Sequence, residues 1–425
     1  MRGAAVSARP TSVRGPLYGT LLLGCLSISW SSGGALAAAP LPSASAARAI
    51  LGAGQGVYVE DADGRVLLAQ AAETPVHPAS VSKIATTLAL LSRLGPDYRF
   101  KTTFAATGPI AHGRLEGDLR IESHGDPELV DENALLIATR LHELGIERID
   151  GTLTATGPLM FDWQSDPDGA RLRGALAGQV APAARAAVQA LLASAATAAP
   201  MDSARLPALT FGSGPIAGGT ATGVGHTLLV HSSEPLLSLA KALNDYSNNV
   251  FNALAASVGG AVEVERGARA ALPPQLRSAV VLEDAAGADA RNRMSPHAAV
   301  ALLRALEQEL TRGGHRLTDV LPVSGIDPGT LHDRLNAPAE AGCIVGKTGT
   351  YGDYGASALI GALQSADRGT VYFAILNHGV PVPEARRRQD RFVRLLLQRL
   401  RARPWSYQRD VRPAVARIEL QTPSS

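Results

Sequence analysis

A serine and a lysine three positions apart, Ser80 and Lys83, could form a nucleophile with its own base. On a helix, residues three apart lie on the same side, one turn from each other. The residues that follow favour a helix, because the apolar side chains of Ile84, Leu88 and Leu91 are spaced for one buried face. A neutral lysine beside a serine hydroxyl can accept its proton and make the oxygen a nucleophile. This pair therefore predicts acyl transfer through a serine.

The same spacing occurs a second time, at Ser238 and Lys241. An isolated match of this kind is more often a surface serine and a solvated lysine than a catalytic pair. The second pair lies on a predicted helix, residues 236–245, that leads directly into Ser247. We therefore interpret Lys241 as a surface residue and place the nucleophile at Ser80.

Two further motifs lie downstream of Ser80. The first is Ser247-Asn248-Asn249, and the second is Lys347-Thr348-Gly349-Thr350, at the end of a predicted strand. The ordered set Ser-x-x-Lys, Ser-x-Asn and Lys-Thr-Gly is the signature of penicillin-binding proteins and class A β-lactamases. Three motifs in this order are far more specific than any one of them alone.

Both helices and strands are predicted around these motifs. A β-hairpin is predicted over residues 56–69, immediately before the segment that carries Ser80. Three strands at 344–350, 356–363 and 371–376 follow one another with short turns, as in an antiparallel meander. The last predicted helix, 384–401, has leucines on one face and arginines on the other. Such a helix could contact an anionic membrane surface, although a solvated charged face is its more common role.

The N-terminus has the pattern of an export signal. Arg2, Arg9 and Arg14 precede a short apolar run from Leu17 to Trp30, and Ala35-Leu36-Ala37 fits a small-x-small cleavage site. The sequence therefore predicts a signal peptide over residues 1–37 and a protein that acts in the periplasm or cell envelope.

The chain has two cysteines, Cys25 and Cys343. Cys25 ends a segment that resembles a lipoprotein box, so lipid anchoring through it is the alternative to ordinary cleavage. Cleavage would leave Cys343 as a single thiol, which we predict to be a small buried hydrophobe.

Composition narrows the class of partner and the number of domains. The chain has 425 residues and a formal net charge of +2. Its length allows two or three domains, and its near-neutral charge gives no support for nucleic-acid binding.

From about Gly56 to Asn377, the three motifs and the segments between them resemble the D-alanyl-D-alanine carboxypeptidase/endopeptidase family of low-molecular-mass penicillin-binding proteins. Ser80 and Ser247 are 167 positions apart, whereas class A β-lactamases place these motifs closer together. The family resembled here inserts a domain between them.

The resemblance implies an α+β fold of the β-lactamase/transpeptidase type, an antiparallel sheet flanked by helices, with a smaller strand-rich insert. We expect residues 38–98 and 226–405 to form the peptidase domain, 99–225 the insert, and 406–425 a C-terminal tail.

The resemblance also implies catalytic roles. Ser80 would attack the carbonyl of a D-Ala-D-Ala bond or of a D-Ala–diamino acid cross-link in peptidoglycan. Lys83 would be its base, with a pKa lowered by burial near the positive charge of Lys347. Ser247 would relay a proton to the leaving amine, and Asn249 would position Lys83 and the substrate amide.

A second group of residues would bind the substrate. Lys347 and Thr348 would hold the substrate carboxylate, and Gly349 would let the substrate backbone lie close to the strand. The N–H groups of Ser80 and Thr350 would form the oxyanion hole. The resemblance implies covalent inhibition by β-lactams and requires neither a metal nor another cofactor.

Two other functions stay open from the sequence. A serine β-lactamase would use the same motifs but needs a base for deacylation; Glu128 and Glu132 are candidates by residue type, although neither has the expected spacing. A non-catalytic penicillin- or peptidoglycan-binding protein would be expected to lack one of the motif residues, and all of them are present here.

Overall fold

The computed structural model describes residues 42–195, 206–212, 217–218, 225–246, 249–352, 355–412 and 417–423. The helices are α1 Ala44–Leu51, α2 Lys83–Leu94, α3 Asp131–Glu143, α4 Ala170–Leu176, α5 Pro182–Ala195, α6 Leu236–Asp245, α7 Val250–Ala256, α8 Gly260–Ala271, α9 Pro296–Arg312 and α10 Val382–Arg399. Short 3₁₀ turns occur at Ala79–Ser82, Pro274–Ala279 and Leu317–Asp319.

The described strands form two larger sheets, one short four-stranded sheet and two short pairs. They are β1 Gly56–Asp61, β2 Val66–Gln70, β3 Lys101–Ala106, β4 Ile110–Ala111, β5 Arg114–Leu115, β6 Leu119–Ser123, β7 Arg148–Ile149, β8 Leu153–Thr156, β9 Met160–Phe161, β10 Gln164–Ser165, β11 Thr210–Phe211, β12 Ala217–Gly218, β13 His226–Ser232, β14 Val280–Val281, β15 Arg293–Met294, β16 Ile344–Tyr351, β17 Ala356–Ser365, β18 Gly369–His378 and β19 Glu419–Gln421.

The first sheet joins strands from the N-terminal part of the described chain to strands that lie more than 250 residues later. Its order is β16-β17-β18-β1-β2, and every neighbouring pair is antiparallel. Strand side chains alternate between faces, and here both faces are buried. Ala374 and Leu376 point into one hydrophobic core, whereas Phe373 and Ile375 point into another. The predicted hairpin and the predicted three-stranded meander are thus parts of one sheet.

Helices cover both faces of this sheet. One core contains residues of α2, α6, α7, α8 and α9, and in it the predicted apolar face of α2 is buried at Ile84, Leu88 and Leu91. The other core lies between the sheet and α1 and α10. The mixed α+β class expected from the sequence is the class observed.

The second sheet has the order β12-β8-β6-β3-β13-β19. Its own core is built from residues such as Phe104, Ile121 and Leu153, together with α3 and α4. We expected the insert to end at residue 225, but β13 pairs with β3 from His226 to Ser232. The sheet therefore extends past the expected boundary, because the apolar Leu228 and Leu229 are needed in this core.

The C-terminal tail also differs from the expectation, since part of it is a strand. Residues 419–421 pair with β13, and Leu420 packs against the core of the second sheet. The side chain of Arg417 forms an ion pair with the buried Glu234, at 2.5 Å. These contacts fix the tail to the insert.

Helix α1 is the first element of the described chain. Ser43 caps it by accepting a hydrogen bond from the N–H of Ala46, at 3.2 Å. Ala47 and Leu51 are fully buried in the core shared with α10. The short apolar stripe is visible in the sequence, but its partner helix lies more than three hundred residues further along.

Within the described residues, no helix combines the length and the apolar character that crossing a bilayer requires. In α10, the apolar face with Phe392 and Leu396 is buried against the sheet. Membrane contact through the arginine face stays a prediction.

Candidate active site

Ser80 and Lys83 are in contact at the start of α2. The nucleophile candidate lies in the 3₁₀ turn Ala79–Ser82, and the helix begins at Lys83. Lys83 Nζ lies 2.8 Å from Ser80 Oγ. Ser80 is 6% exposed, whereas Lys83 is fully buried. The pair thus has the hydrogen bond that proton transfer between base and nucleophile requires.

Burial lowers the pKa of Lys83 to about 8, against the opposing effect of the Asp284 carboxylate. We expected the positive charge of Lys347 to contribute to this shift, and the two amines do interact, since the charge of Lys83 lowers the pKa of Lys347. The pKa of Lys347 is lowered further, to about 7, by its complete burial and by Lys83. Repulsion between two buried ammonium groups is mutual, so each of them disfavours the protonated form of the other.

A loop that the sequence analysis did not single out supplies a further contact to Lys83. Its ammonium donates a hydrogen bond to the carbonyl of Ala286. The Asp284 carboxylate orders this loop, because it accepts hydrogen bonds from the N–H groups of Gly287 and Ala288, both at 3.0 Å, and from the side chain of Asn292 at 2.5 Å. An Asp with a Gly three residues later, at Asp284 and Gly287, is the local signal of a turn, but its relation to Lys83 depends on tertiary structure.

Strand β16 places the third motif against the turn that carries Ser80. A methyl group added at Gly349 would lie 2.8 Å from the carbonyl oxygen of Pro78 and 2.9 Å from the nitrogen of Ser80. Such distances are closer than real Cβ contacts allow, so glycine is required for the approach of these backbones. The two N–H groups expected to form the oxyanion hole, those of Ser80 and Thr350, belong to these two adjoining segments.

The other residues of the third motif have specific partners. Lys347 is completely buried and donates to the carbonyl oxygen of Thr348, at 3.1 Å. The Thr348 hydroxyl is bonded to that of Thr330, at 2.6 Å. Thr330 lies in the loop before β16, outside the three motifs.

The second motif is only partly described. Ser247 lies outside the described residues, so its expected role stays a prediction. Asn249 is exposed and directly precedes α7. Within the described part of the chain its side chain has no hydrogen bond to Lys83, whose partners are Ser80 and Ala286. The Phe251 ring centroid is nevertheless 5.8 Å from Lys83 Nζ, so α7 lies beside the first motif.

The second serine–lysine pair has a different environment. Lys241 is an ion-pair partner of the buried Asp327, at 2.5 Å, and also donates to the carbonyl of Leu321, at 2.6 Å. Its side chain is 15% exposed, so our interpretation of Lys241 as a surface residue was wrong. Its charge stabilises the loop before β16.

Arg386 is an addition to the site that the motifs did not indicate. It lies on α10, and its guanidinium donates a hydrogen bond to the hydroxyl of Thr350, at 2.9 Å. Both residues are exposed. Within the described residues Arg386 forms no ion pair, whereas the nearby Asp390 is paired with Arg334. Its position 36 residues after Thr350 in the sequence gave no signal of this contact.

The two candidate deacylation glutamates lie in the insert region. The carboxylate of Glu128 is buried and accepts a hydrogen bond from the N–H of Glu234, at 2.6 Å. Burial and the neighbouring Glu234 carboxylate raise the pKa of Glu128 well above its usual range. Glu132 lies in the first turn of α3. Among the described residues, no three His, Cys, Asp or Glu side chains converge as a metal site would require.

Cys343 is fully buried as a free thiol, as predicted. Burial raises its pKa, so the side chain stays a thiol under ordinary conditions.

Comparison with known proteins gives a family and a fold. Residues 38–170 and 162–399 match the model of the D-Ala-D-Ala carboxypeptidase 3 (S13) family. A segment of 75 residues is 32% identical to the D-alanyl-D-alanine carboxypeptidase DacB of Haemophilus influenzae; it covers 18% of this chain and 16% of that protein.

Solved structures resemble most of this chain in fold. The predatory endopeptidase Bd3459 of Bdellovibrio bacteriovorus, acylated by penicillin G and in complex with an immunity protein, matches with a TM-score of 0.72 and 21% identity, over 84% of this chain and 95% of that chain. Penicillin-binding protein 4 of Haemophilus influenzae matches with a TM-score of 0.61 and 18% identity, over 83% and 99%.

Proposed function

Because the chain belongs to the D-Ala-D-Ala carboxypeptidase 3 (S13) family, we propose that it is a serine D,D-peptidase of peptidoglycan. It would hydrolyse terminal D-Ala-D-Ala bonds, cross-links between D-Ala and a diamino acid, or both. The observation that carries the proposal is the 2.8 Å contact between Ser80 Oγ and the Nζ of a buried lysine whose pKa is lowered to about 8.

Acylation starts with the proton of Ser80. Lys83 is partly neutral near pH 8 and accepts this proton while Ser80 Oγ attacks the carbonyl carbon of the penultimate D-alanine. The N–H groups of Ser80 and Thr350 stabilise the oxyanion. The C–N bond then breaks, and the leaving amine takes a proton relayed through Ser247. Water attacks the resulting ester and releases the shortened peptide.

We assign recognition of the substrate carboxylate to Arg386 rather than to Lys347, the residue that the resemblance implied. Lys347 is fully buried, and its pKa of about 7 leaves it partly neutral at physiological pH. Arg386 is permanently charged, exposed and bonded to the Thr350 hydroxyl at the end of β16. A guanidinium here can bind the carboxylate of the residue on the leaving side of the scissile bond. Thr348 and Thr350 would contribute their hydroxyls.

The proposal includes covalent inhibition by β-lactams. A β-lactam carbonyl would acylate Ser80, and the ring-opened product would stay on the enzyme while water lacks access. The penicillin-acylated relative of similar fold supports this step.

A β-lactamase reading is less well supported. It needs an ionised carboxylate near the acyl-enzyme, but Glu128 is buried, bonded to the backbone of Glu234 and held in its neutral form near pH 7. A non-catalytic binding protein would not need a buried lysine in contact with Ser80.

The test uses purified mature protein with fluorescent penicillin and, in parallel, with a pentapeptide that ends in D-Ala-D-Ala. Mass spectrometry should show a long-lived adduct on Ser80 and the release of D-alanine. Ser80→Ala should abolish both. Labelling retained in Ser80→Ala would overturn the assignment of the nucleophile, fast hydrolysis of penicillin would indicate a β-lactamase, and an adduct without turnover of pentapeptide or cross-linked muropeptide would indicate a binding protein.

We further propose that the mature protein acts in the periplasm or cell envelope. The charged start, apolar run and Ala35-Leu36-Ala37 site in the N-terminal sequence support export. Cell fractionation with N-terminal sequencing would test it: a mature terminus at Ala38 is expected, whereas a lipid-modified Cys25 would indicate anchoring.

A further inference from the structure

His77 contacts both the residue before Ser80 and the residue that follows the third motif. Its Nδ1 accepts a hydrogen bond from the N–H of Ala79, at 3.1 Å. Its ring stacks on that of Tyr351, with centroids 4.0 Å apart and planes inclined by 25°. Ala79 directly precedes Ser80, and Tyr351 directly follows Thr350. One side chain thus contacts both segments that carry the expected oxyanion-hole N–H groups.

The segment that His77 holds has a strained backbone. Ala79 has a φ of +48°, in the left-handed region that alanine rarely adopts. Residues in such conformations persist only when their surroundings fix them, and they are found preferentially at functional sites. The Ala79 carbonyl is enclosed as well, since a methyl group added at Gly287 would lie 2.0 Å from its oxygen. The hydrogen bond from the N–H of Ala79 to His77 fixes the preceding peptide group, between Pro78 and Ala79.

The partners of His77 also determine its protonation. Nδ1 must be unprotonated to accept from Ala79, and Nε2 lies 2.9 Å from the carbonyl oxygen of Asp289, to which it must donate. Only the neutral Nε2–H tautomer satisfies both contacts. A second proton on Nδ1 would face the N–H of Ala79 and break the bond.

Charged groups on the neighbouring elements act on this ring in both directions. Arg293 on β15 disfavours the protonated ring, whereas the carboxylates of Asp284 and Asp289 favour it, and burial lowers the pKa of His77 below its usual value. Tyr351 faces the ring from β16 as its stacking partner. The neutral form is therefore the one present at neutral pH.

We propose that His77 is a positioning residue. Its neutral imidazole fixes the two segments that carry the N–H groups of Ser80 and Thr350, and so fixes these two groups relative to each other. The inference rests on the proposed peptidase function and deepens it. It assigns His77 no contact with substrate. Replacement of His77 should therefore change kcat rather than KM, because the oxyanion forms only after the substrate is bound.

The test compares His77→Asn with His77→Gln. The Asn oxygen can occupy the place of Nδ1 and accept from Ala79, whereas the Gln amide reaches the place of Nε2 and leaves the Ala79 N–H without its acceptor. His77→Asn keeps the acceptor for Ala79 but loses the ring that stacks on Tyr351, so we expect it to lose clearly less kcat than His77→Gln. His77→Gln should lose on the order of tenfold to a hundredfold in kcat with little change in KM, since a small displacement of catalytic groups has effects of this size.

The pH profile supplies a readout that a purely structural role would not change. Below pH 7, wild-type kcat/KM should fall by about tenfold per pH unit because of Lys83, and by up to about a hundredfold per unit once His77 is also protonated. His77→Asn should show only the first slope. His297→Asn is the matched control, because His297 is also a histidine stacked on a tyrosine, Tyr58, at 4.2 Å, but its neighbours lie outside the site.

Each result decides for or against the inference. Equal activity of the Asn and Gln variants, or the same acid slope in wild type and His77→Asn, would overturn it. If the His77 variants do not fold, Tyr351→Leu replaces them: it removes the stacked ring and should lower kcat, and an unchanged kcat would overturn the inference. If the wild type neither hydrolyses the pentapeptide nor is acylated, the proposed function and this inference both fail. If the wild type is active but His77→Asn is no better than His77→Gln, only the inference fails.

Discussion

The guanidinium of Arg386 on the last helix is hydrogen-bonded to the hydroxyl of Thr350 at the end of the strand that carries the third motif, with a distance of 2.9 Å. An exposed cation thus reaches a site whose own lysines are fully buried. In the proposed function, this exposed cation would bind the carboxylate of the substrate.

Arg386→Gln should therefore lower kcat/KM for a peptide that ends in D-Ala-D-Ala. A hydrogen bond to a charged group contributes about 1.5–3 kcal/mol, so a loss of roughly tenfold to a hundredfold is expected. The same peptide with an amidated C-terminus should be hydrolysed equally by variant and wild type, because it has no carboxylate. Arg387→Gln, one residue along the same helix, is the control. Equal losses for both peptides would contradict the assignment.

The activity should rise with pH through about 8, where Lys83 loses its proton. Only the neutral amine can accept the proton of Ser80, so the protonated form at lower pH is inactive. Because the Asp284 carboxylate raises the pKa of Lys83, Asp284→Asn should move the midpoint of this rise to lower pH. The measurement is kcat/KM against pH. Asp367→Asn, which removes a carboxylate paired with Arg401 instead, should leave the midpoint unchanged.

Gly349→Ala should inactivate the enzyme without unfolding it. The new methyl group would lie within 3.0 Å of the backbone of Pro78 and Ser80, so β16 and the nucleophile turn must move apart. A displacement of that kind can cost about a hundredfold in rate. Penicillin acylation kinetics and thermal melting measure the two effects separately. Gly54→Ala is the control, because no atom lies within 4 Å of the added carbon; similar acylation rates for both variants would contradict the prediction.

The buried carboxyl of Glu128 should make the protein less stable as pH rises. Its pKa is raised in the folded state, so the native protein holds a proton that the unfolded chain releases near pH 4. Stability from this group is present below that pH and falls as pH rises towards the folded pKa. Glu128→Gln keeps an acceptor for the N–H of Glu234 and has no proton to lose. Melting curves from pH 5 to pH 9 should show its Tm gaining on that of wild type as pH increases; a constant difference would contradict this linkage.

The sequence was sufficient to predict the local parts of the site. The Ser80–Lys83 contact needs only a helical turn, and the hairpin, the meander and the apolar face of α2 follow from short-range periodicity. These elements occur close to where they were expected.

The remaining parts depend on contacts between distant segments. Arg386 meets Thr350, Asp284 orders the loop that reaches Lys83, and Lys241 meets Asp327 only because the folded chain brings them together. The same holds for β13, whose pattern is that of a strand in either domain, and for α1, whose partner is α10. Periodicity shows which face of a helix or strand is buried, but not which other element packs against that face.

The pairing of β1 with β18 has a consequence for how the protein becomes active. Gly56 lies opposite Leu376, so the N-terminal hairpin completes its sheet only when the last third of the chain is available. Contacts of such long sequence separation form slowly, because the loop between them must first be closed. The nucleophile turn, which follows this hairpin, meets β16 by the same late step. A growing chain therefore contains Ser80 and Lys83 but no assembled acylation site, and catalytic competence arrives as one of the last events of folding.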